Sequence, residues 1–508
     1  MRRFSAVLIC AALLAALFCG CAQESEPTIA PVDPGTVTEP TEPDAQPFAG
    51  SVTLCRVADG DLNPLTTKSR INFALAGLIY EGLYALDENF EPVPVLAQSA
   101  SAEGNVWRIT LRGDVLFHDG TPLTAQHVAQ TLNAARADAT GNYYSRLREV
   151  QSVTAQDAET VLITLSRPNS LFLSLLNIPI VKDPVSEPLI GTGAFAYDGG
   201  DTSRLLPAAG TQTAVREVIL RDVSSDEQVV ELFESGEVDF VSMDQDDGGK
   251  LVIHGTQNAV SYDSTRLFYL GVNVGKNRAL AQPLLRLAVS AAADRSAMID
   301  AIIDKAGSAT VSALHPSWYL LDGAVEGYEL RSAAELLDEA GFEQSDEAGL
   351  RLRDGKPLQL TICVNQKSSE KTSAAKLLAR DLKRVGIDAV VNALSESDYL
   401  TAVRRGDFDL YVGEIKLLPD MDLSALIGSG GALNYGGFSD VAVDEALAAL
   451  KAQASPESAQ ALAALLSEKM PVIPLYFGND MLLSSGNFAS SPTPRPGDPY
   501  YGLWAYCK

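Results

Sequence analysis

The chain has 508 residues, enough for more than one folding unit, and its 46% apolar content is that of a globular protein with a full core. Its 39 Lys and Arg face 65 Asp and Glu, a formal charge of −26. A surface of that sign repels nucleic acid and anionic lipid headgroups, which removes both as partners.

The first twenty residues read as a leader rather than as fold. Arg2 and Arg3 form a positive n-region, and the apolar run from Ala6 to Leu17 is too short to span a bilayer comfortably. The run ends Phe18-Cys19-Gly20-Cys21, which resembles a bacterial lipobox. That resemblance implies lipidation of Cys21, with cleavage by an ordinary signal peptidase as the alternative. Residues 22–49 hold six Pro, six Asp or Glu and no Lys or Arg. Such a stretch cannot offset its ordering entropy and is expected to be a disordered tether. At about 3.1 Å per residue it would reach roughly 85 Å from a membrane.

From residue 50 the pattern is that of a folded body. A first strand is expected over 51–57 and an amphipathic helix from Ile71 to Leu83. Trp107, Ile109 and Leu111 alternate with polar residues as in a half-buried strand, Asp119-Gly120 marks a tight turn, and Thr124 is placed to cap a helix.

A supersecondary unit then occurs twice, over 224–241 and 395–412. At a fixed offset, Ser225 meets Ser395, Gly236 meets Gly406, Glu237 meets Asp407 and Asp239 meets Asp409. Each copy opens with a Ser able to N-cap a helix, carries apolar residues at helical spacing, stops at Gly and continues into a short apolar strand. In the first copy Gln228 completes a capping box with Ser225. Two copies predict two similar α/β lobes with a cleft between them, and in open α/β sheets ligands sit beyond the carboxyl ends of strands. Around the second copy, strands from Leu358 to Val364, through Val391 and from Phe408 to Val412 alternate with helices, which implies a parallel sheet with right-handed crossovers. A last strand over 471–477 runs back toward the first lobe.

Chemistry-bearing motifs are absent. His118, His127, His254 and His315 lack metal-pair spacing, and there is no Cys-x-x-Cys, Gly-x-Ser-x-Gly, His-Glu-x-x-His or phosphate loop. His118 reads as structural, and His315 as either surface or cleft lining. Cys363 reads as a core residue. Cys55 and Cys507, near the two ends of the body, could form a disulfide in an oxidising compartment.

Several segments occur together in the order of one family. They are Asn63-Pro64-Leu65, Tyr80-Glu81-Gly82-Leu83, the run from Leu111 to Ala125 around His118-Asp119-Gly120-Thr121, Gly191-Thr192-Gly193, Tyr269-Leu270-Gly271-Val272-Asn273, Ala293-Asp294-Arg295, and the run from Ala334 to Phe342. Over about residues 50–508 the chain resembles the peptide- and nickel-binding family of ABC-importer solute receptors. The resemblance implies a two-lobed α/β fold of the periplasmic-binding-protein type II class, with an interlobe cleft and hinge. Lobe I would take 50–267 with 478–508 returning to it, and lobe II 268–477. Hinge crossings would lie near Leu267-Phe268 and Phe477-Gly478. It further implies no catalysis and no cofactor, a small solute or peptide as ligand, an ABC permease with its ATPase subunits as partners, a monomer, and an extracytoplasmic, membrane-anchored location.

In peptide-binding members, the segment matching Gly413-Glu414-Ile415-Lys416 pairs with an extended peptide. Glu414 stands where Trp is usual, and Leu417 where an Asp would take the peptide amine. Either Glu414 or Asp420 takes that amine, or the ligand lacks one. The candidate ligand contacts are Arg70, Asn72, Tyr269, Asn273, Trp318, Glu414, Lys416 and Tyr435, with Tyr319 and Phe438 as further aromatic cleft candidates. Two other classes stay open: a non-transporting receptor serving a sensor, and an extracellular hydrolase using cleft carboxylates.

Overall fold

The computed structural model describes residues 50–58, 60–185, 190–243, 253, 258–275, 278–303, 306–321, 331–485 and 492–505. The leader, Cys21, the tether, His254 and Cys507 lie outside them. Cys55, the other half of the suggested disulfide, is a buried thiol whose pKa burial pushes up to about 12.

The described helices and strands include, in chain order, β1 (Gly50–Arg56), α1 (Arg70–Ala74), α2 (Ala76–Ile79), α3 (Ala125–Ala137), α4 (Asp226–Glu234), β2 (Phe240–Met243), β3 (Asn258–Val272), β4 (Gln359–Asn365), α5 (Ser369–Arg384), β5 (Asp388–Leu394), α6 (Glu396–Arg405), β6 (Leu410–Lys416), α7 (Val441–Ala452), α8 (Pro456–Lys469) and β7 (Val472–Ser484).

Both copies of the repeated unit fold alike. Ser225 caps α4 by accepting from Gln228 N–H, and Ser395 caps α6 by accepting from Asp398 N–H. Gly236 and Gly406 follow their helices at φ 75° and 74°, the left-handed region where a Cβ is costly. The shared Asp has a shared task. Asp239 accepts from Thr53 N–H at 2.8 Å and returns its own N–H to Thr53 O at 2.9 Å. Asp409 does the same with Thr361, at 2.9 and 3.2 Å. Each Asp therefore staples the start of its strand to a neighbouring strand, β1 in one lobe and β4 in the other. The capping box of the first copy forms only in part, because the Gln228 side chain turns back to Ser224 N–H instead of Ser225 N–H.

The helix expected over 71–83 is instead two short ones, α1 and α2, after which Tyr80 turns extended. Gly77 and Gly82 weaken a continuous helix, and at Gly82 the backbone runs so close to Asn177 and Ile178 that a Cβ would lie 3.0 Å from Ile178 N. Thr124 caps α3 as expected. The return contact comes from His127, whose Nδ1 accepts Thr124 N–H at 3.1 Å, so this His takes the role that Glu or Gln plays in a capping box.

One core gathers residues from Val52 to Phe240 and is joined by Leu482, Tyr500 and Leu503 from the end of the chain. Two further cores, from Leu267 onward, are built almost wholly from residues up to Phe477. The sheet linking these bodies has the order β2-β7-β3-β6-β4-β5. Within it β4 pairs parallel with both β5 and β6, as the strand–helix alternation predicts. The crossings are longer than the sequence suggests. Strand β3 has 15 residues, polar-faced at its start and continuously buried from Ser264 to Val272. It runs antiparallel to β7, and Leu267 pairs directly with Phe477. The ladder is irregular between Asp263 and Arg266 and between Phe268 and Tyr269.

Candidate ligand-binding cleft

A cavity of about 510 Å³ lies where the two bodies meet, within the usual size range for small-molecule sites. The ends of both repeated strands reach it: Phe240, Val241 and Ser242 from β2, and Lys416 with Leu417 from β6. Lys68, Arg70, Arg146 and Asp226 face it from the first body, and Tyr262, Thr265 and Asp480 from the crossing strands. Two other cavities, of about 500 and 570 Å³, are walled by the first body and the C-terminal segment alone. Of these three, the two-walled one is the candidate site, because a ligand there can bridge both lobes.

Ser69 caps α1 by accepting from Asn72 N–H, which sets Arg70 at the first turn. The Arg70 guanidinium stands 3.6 Å from Asp226 on α4. Arg146 is half-buried, donates to the Asn177 side chain and backbone, and lies over the Tyr143 ring. Burial lowers the pKa of Arg146 from its ordinary value, but a guanidinium keeps its charge throughout the working pH range. Lys68 donates to Thr140 O. Lys416 is exposed at the end of β6 and makes no ion pair with any described carboxylate.

Of the eight candidate contacts, Arg70 and Lys416 line this cavity and the other six do not. Asn72 is buried, its side-chain oxygen accepting Val57 N–H at 2.8 Å and its amide donating to Val57 O and Asp61 O. Asn273 donates to Gly406 O and Phe408 O and accepts from Gly275 N–H, which pins the loop between α6 and β6. Trp318 is 1% exposed and belongs to the core, with Tyr319 set edge-on against it. Tyr435 packs edge-on against Tyr411, and Phe438 is buried in the same core.

Tyr269 is placed by a cross-strand exchange. In the β3–β6 ladder Tyr269 faces Gly413, and Gly271 faces Tyr411. Each ring lies over the opposing glycine: a Cβ on Gly413 would fall 2.5 Å from Tyr269 Cζ, and one on Gly271 would fall 1.8 Å from Tyr411 Cε1. The two hydroxyls meet at 3.2 Å, and burial drives the Tyr269 pKa well above its ordinary value. Tyr269 and Gly413 thus set the register of the strand that delivers Lys416.

Neither acid offered for a ligand amine faces the cavity. Glu414 lies 2.9 Å from Lys371 on α5 and 3.5 Å from Arg266, with its side chain 13% exposed. Asp420 is buried beside Asp422 and Lys451, and burial followed by the Asp422 charge raises its carboxyl to about 6. Lys451 on α7 reaches Asp422 at 2.7 Å and Glu149 of the first body at 3.0 Å, so this cluster ties the two bodies together. Ser170 N–H donates to Lys451 O at 2.8 Å in the same place.

His315 corrects the expectation of surface or cleft lining. It is fully buried between Phe90 and Phe477, and burial lowers its pKa to about 4. His118 is held by Gly193 O at 3.0 Å, and Cys363 is a core thiol. Among the described residues, no three His, Cys, Asp or Glu side chains gather as a metal site. Sequence reasoning missed Lys68, Arg146 and Asp226, which belong to no motif and converge only through the fold.

A family model described as bacterial extracellular solute-binding proteins, family 5 Middle, matches residues 91–429. The chain belongs to this family. This solute-binding protein is 27% identical over 416 residues to Protein XP55 of Streptomyces lividans, covering 75% of this chain and 74% of that one. It is 23% identical over 493 residues to the periplasmic murein peptide-binding protein MppA of Escherichia coli (strain K12), covering 84% and 87%. The unliganded open form of MppA superposes with a TM-score of 0.75 at 20% identity, over 90% of this chain and 97% of that one. These likenesses place the fold in the two-lobed type II class, and the family makes the chain the substrate-binding component of an ABC importer. The family consists of extracellular binding proteins, and among the described residues no helix is long and apolar enough to cross a membrane.

Proposed function

We propose that the protein is a lipid-anchored receptor that takes a small solute in the interlobe cavity and delivers it to a membrane permease without chemical change. Lobe I is 50–267 with 478–508, and lobe II is 268–477. The hinge lies at the paired residues Leu267 and Phe477, beside the two irregularities of the β3–β7 ladder. The observation that carries this reading is a cavity walled by both repeated strand ends, with charged side chains contributed from each side. A ligand that touches both walls favours the closed arrangement by its extra contacts there, and the permease reads that arrangement. Cys21 carries the lipid, residues 22–49 are the tether, and the receptor acts as a monomer. Relatives named for murein peptide and for glutathione make a peptide-like solute the first class to test. Of the cavity's two described carboxylates, Asp226 is paired with Arg70 and Asp480 is largely buried, which does not favour a hydrolase.

Native mass spectrometry of the body, which forms a compact unit from Pro47 to Lys508, tests the reading. The expected result is a defined non-covalent adduct that is lost when Arg70 and Lys416 are both changed to Ala. An adduct that survives the double substitution would move the site elsewhere. Membrane release of Cys21→Ser checks the anchor.

A further inference from the structure

We infer that the cleft selects its solute by an anionic group, a carboxylate or a phosphate, and not by an amine; this rests on the receptor reading above. Among the described residues the cavity carries four cations, Lys68, Arg70, Arg146 and Lys416, against two carboxylates, Asp226 and Asp480. Asp226 is already engaged by Arg70. The described residues of the wall thus hold a formal surplus of two positive charges on a chain whose total is −26. Composition does not produce such a local inversion of sign; it arises from which side chains the fold brings together.

The surplus is divided between the lobes. Lys416 comes from lobe II and the other three cations from lobe I. Bringing two positive walls together around an empty cavity raises the electrostatic energy, and the cost grows as water leaves. An anion between the walls reverses the sign, because each approaching cation then gains a partner. Closure becomes dependent on an anionic ligand, which is the differential interaction a closing receptor needs. An ammonium would add to the surplus instead. Of the acids the sequence offered for it, Glu414 is committed to Lys371 and Arg266, and Asp420 to the buried Lys451 cluster.

The test uses a small-solute extract of bacterial culture, separated on an anion exchanger into retained and unretained pools, with thermal melting of the intact protein as readout. The retained pool is expected to raise the melting temperature. Lys416→Met should raise the amount of pool needed on the order of 10- to 100-fold, the loss of one hydrogen bond to a charged group. Lys416→Arg should restore the response, and both variants should melt like the parent without solute, since Lys416 is exposed at a strand end. Phosphatase treatment of the retained pool separates the two anions: a lost response identifies phosphate, a retained one carboxylate. A shift produced by the unretained pool, or a retained-pool response indifferent to Lys416→Met, would overturn the inference while leaving the receptor reading intact. No shift from either pool would bring down the receptor reading and this inference with it.

Discussion

Replacing Glu414 should cost stability and leave ligand capture in place. Its carboxylate sits between Lys371 at 2.9 Å and Arg266 at 3.5 Å, and the Arg266 side chain is only 2% exposed. Arg266 is walled in: its guanidinium lies 5.2 Å from the Phe268 ring, and a Cβ on Gly478 would fall 2.6 Å from Nη2. It therefore cannot turn to water when the carboxylate goes. Removing one partner of a buried ion pair typically costs 3–5 kcal/mol. At roughly 2 cal/mol/K of unfolding entropy per residue, a body of this size would lose about 3–5 °C for Glu414→Ala if it melts as one unit. Glu414→Gln keeps the shape and should lose less. Thermal melting gives the first number, and native mass spectrometry of the same variant shows whether the solute adduct persists. An unchanged melting temperature together with a lost adduct would refute the structural role and return Glu414 to the ligand.

The buried titratable groups predict pH behaviour of opposite sign. His315 is held neutral with its pKa near 4, below the unfolded value, so its contribution is full above about pH 6.5 and is lost as pH falls toward 4; His315→Phe should flatten the melting temperature in that window. Asp420 is raised to about 6, so its contribution is present below the unfolded value near 4 and is lost as pH rises through 6. Asp420→Asn should therefore stabilise the protein at pH 7 by at most about 3 kcal/mol and have little effect at pH 4. Gly413→Ala would drive a methyl into the Tyr269 ring, which Tyr411 holds in place, and should cost about 1–3 kcal/mol in denaturant unfolding; a neutral result would show that the ring moves freely. Asp409→Ala should leave Thr361 N–H without its acceptor at a cost of about 1–3 kcal/mol, read from hydrogen exchange across β4 and β6.

What could be read from the sequence was local. The capping Ser, the left-handed Gly and the strand after it lie within about twenty residues, and both copies fold as their spacing predicts. The acidic residue of each copy was visible, but its purpose was not, because Thr53 lies 186 residues before Asp239. The ion pairs of Glu414 are hidden for the same reason: Arg266 is 148 residues away, and nothing near Glu414 in the chain reveals it. Tyr269 and Gly413 attract notice as an aromatic and a glycine in family segments. Their meaning lies in a register of Tyr269 on Gly413 and Tyr411 on Gly271, which only the paired strands display. His315 followed the loop composition around Pro316, yet that loop folds inward onto Phe90 and Phe477.

The repeat also explains why the cavity is where it is. In each lobe a capped helix, a left-handed Gly and an Asp staple aim a strand so that its carboxyl end opens at the same place. Strand β2 arrives with Ser242 and β6 with Lys416. The scaffold is thus shared, while the terminal side chains are free to differ, since no staple or register contact depends on them. Asp409 inside the unit, and Gly413 and Tyr269 beside it, are constrained by packing and hydrogen bonds. Lys416 is not, because it is exposed and makes no described ion pair. Selectivity can therefore change at position 416 without disturbing the fold, whereas a change at Glu414, two residues earlier, reaches the buried Arg266.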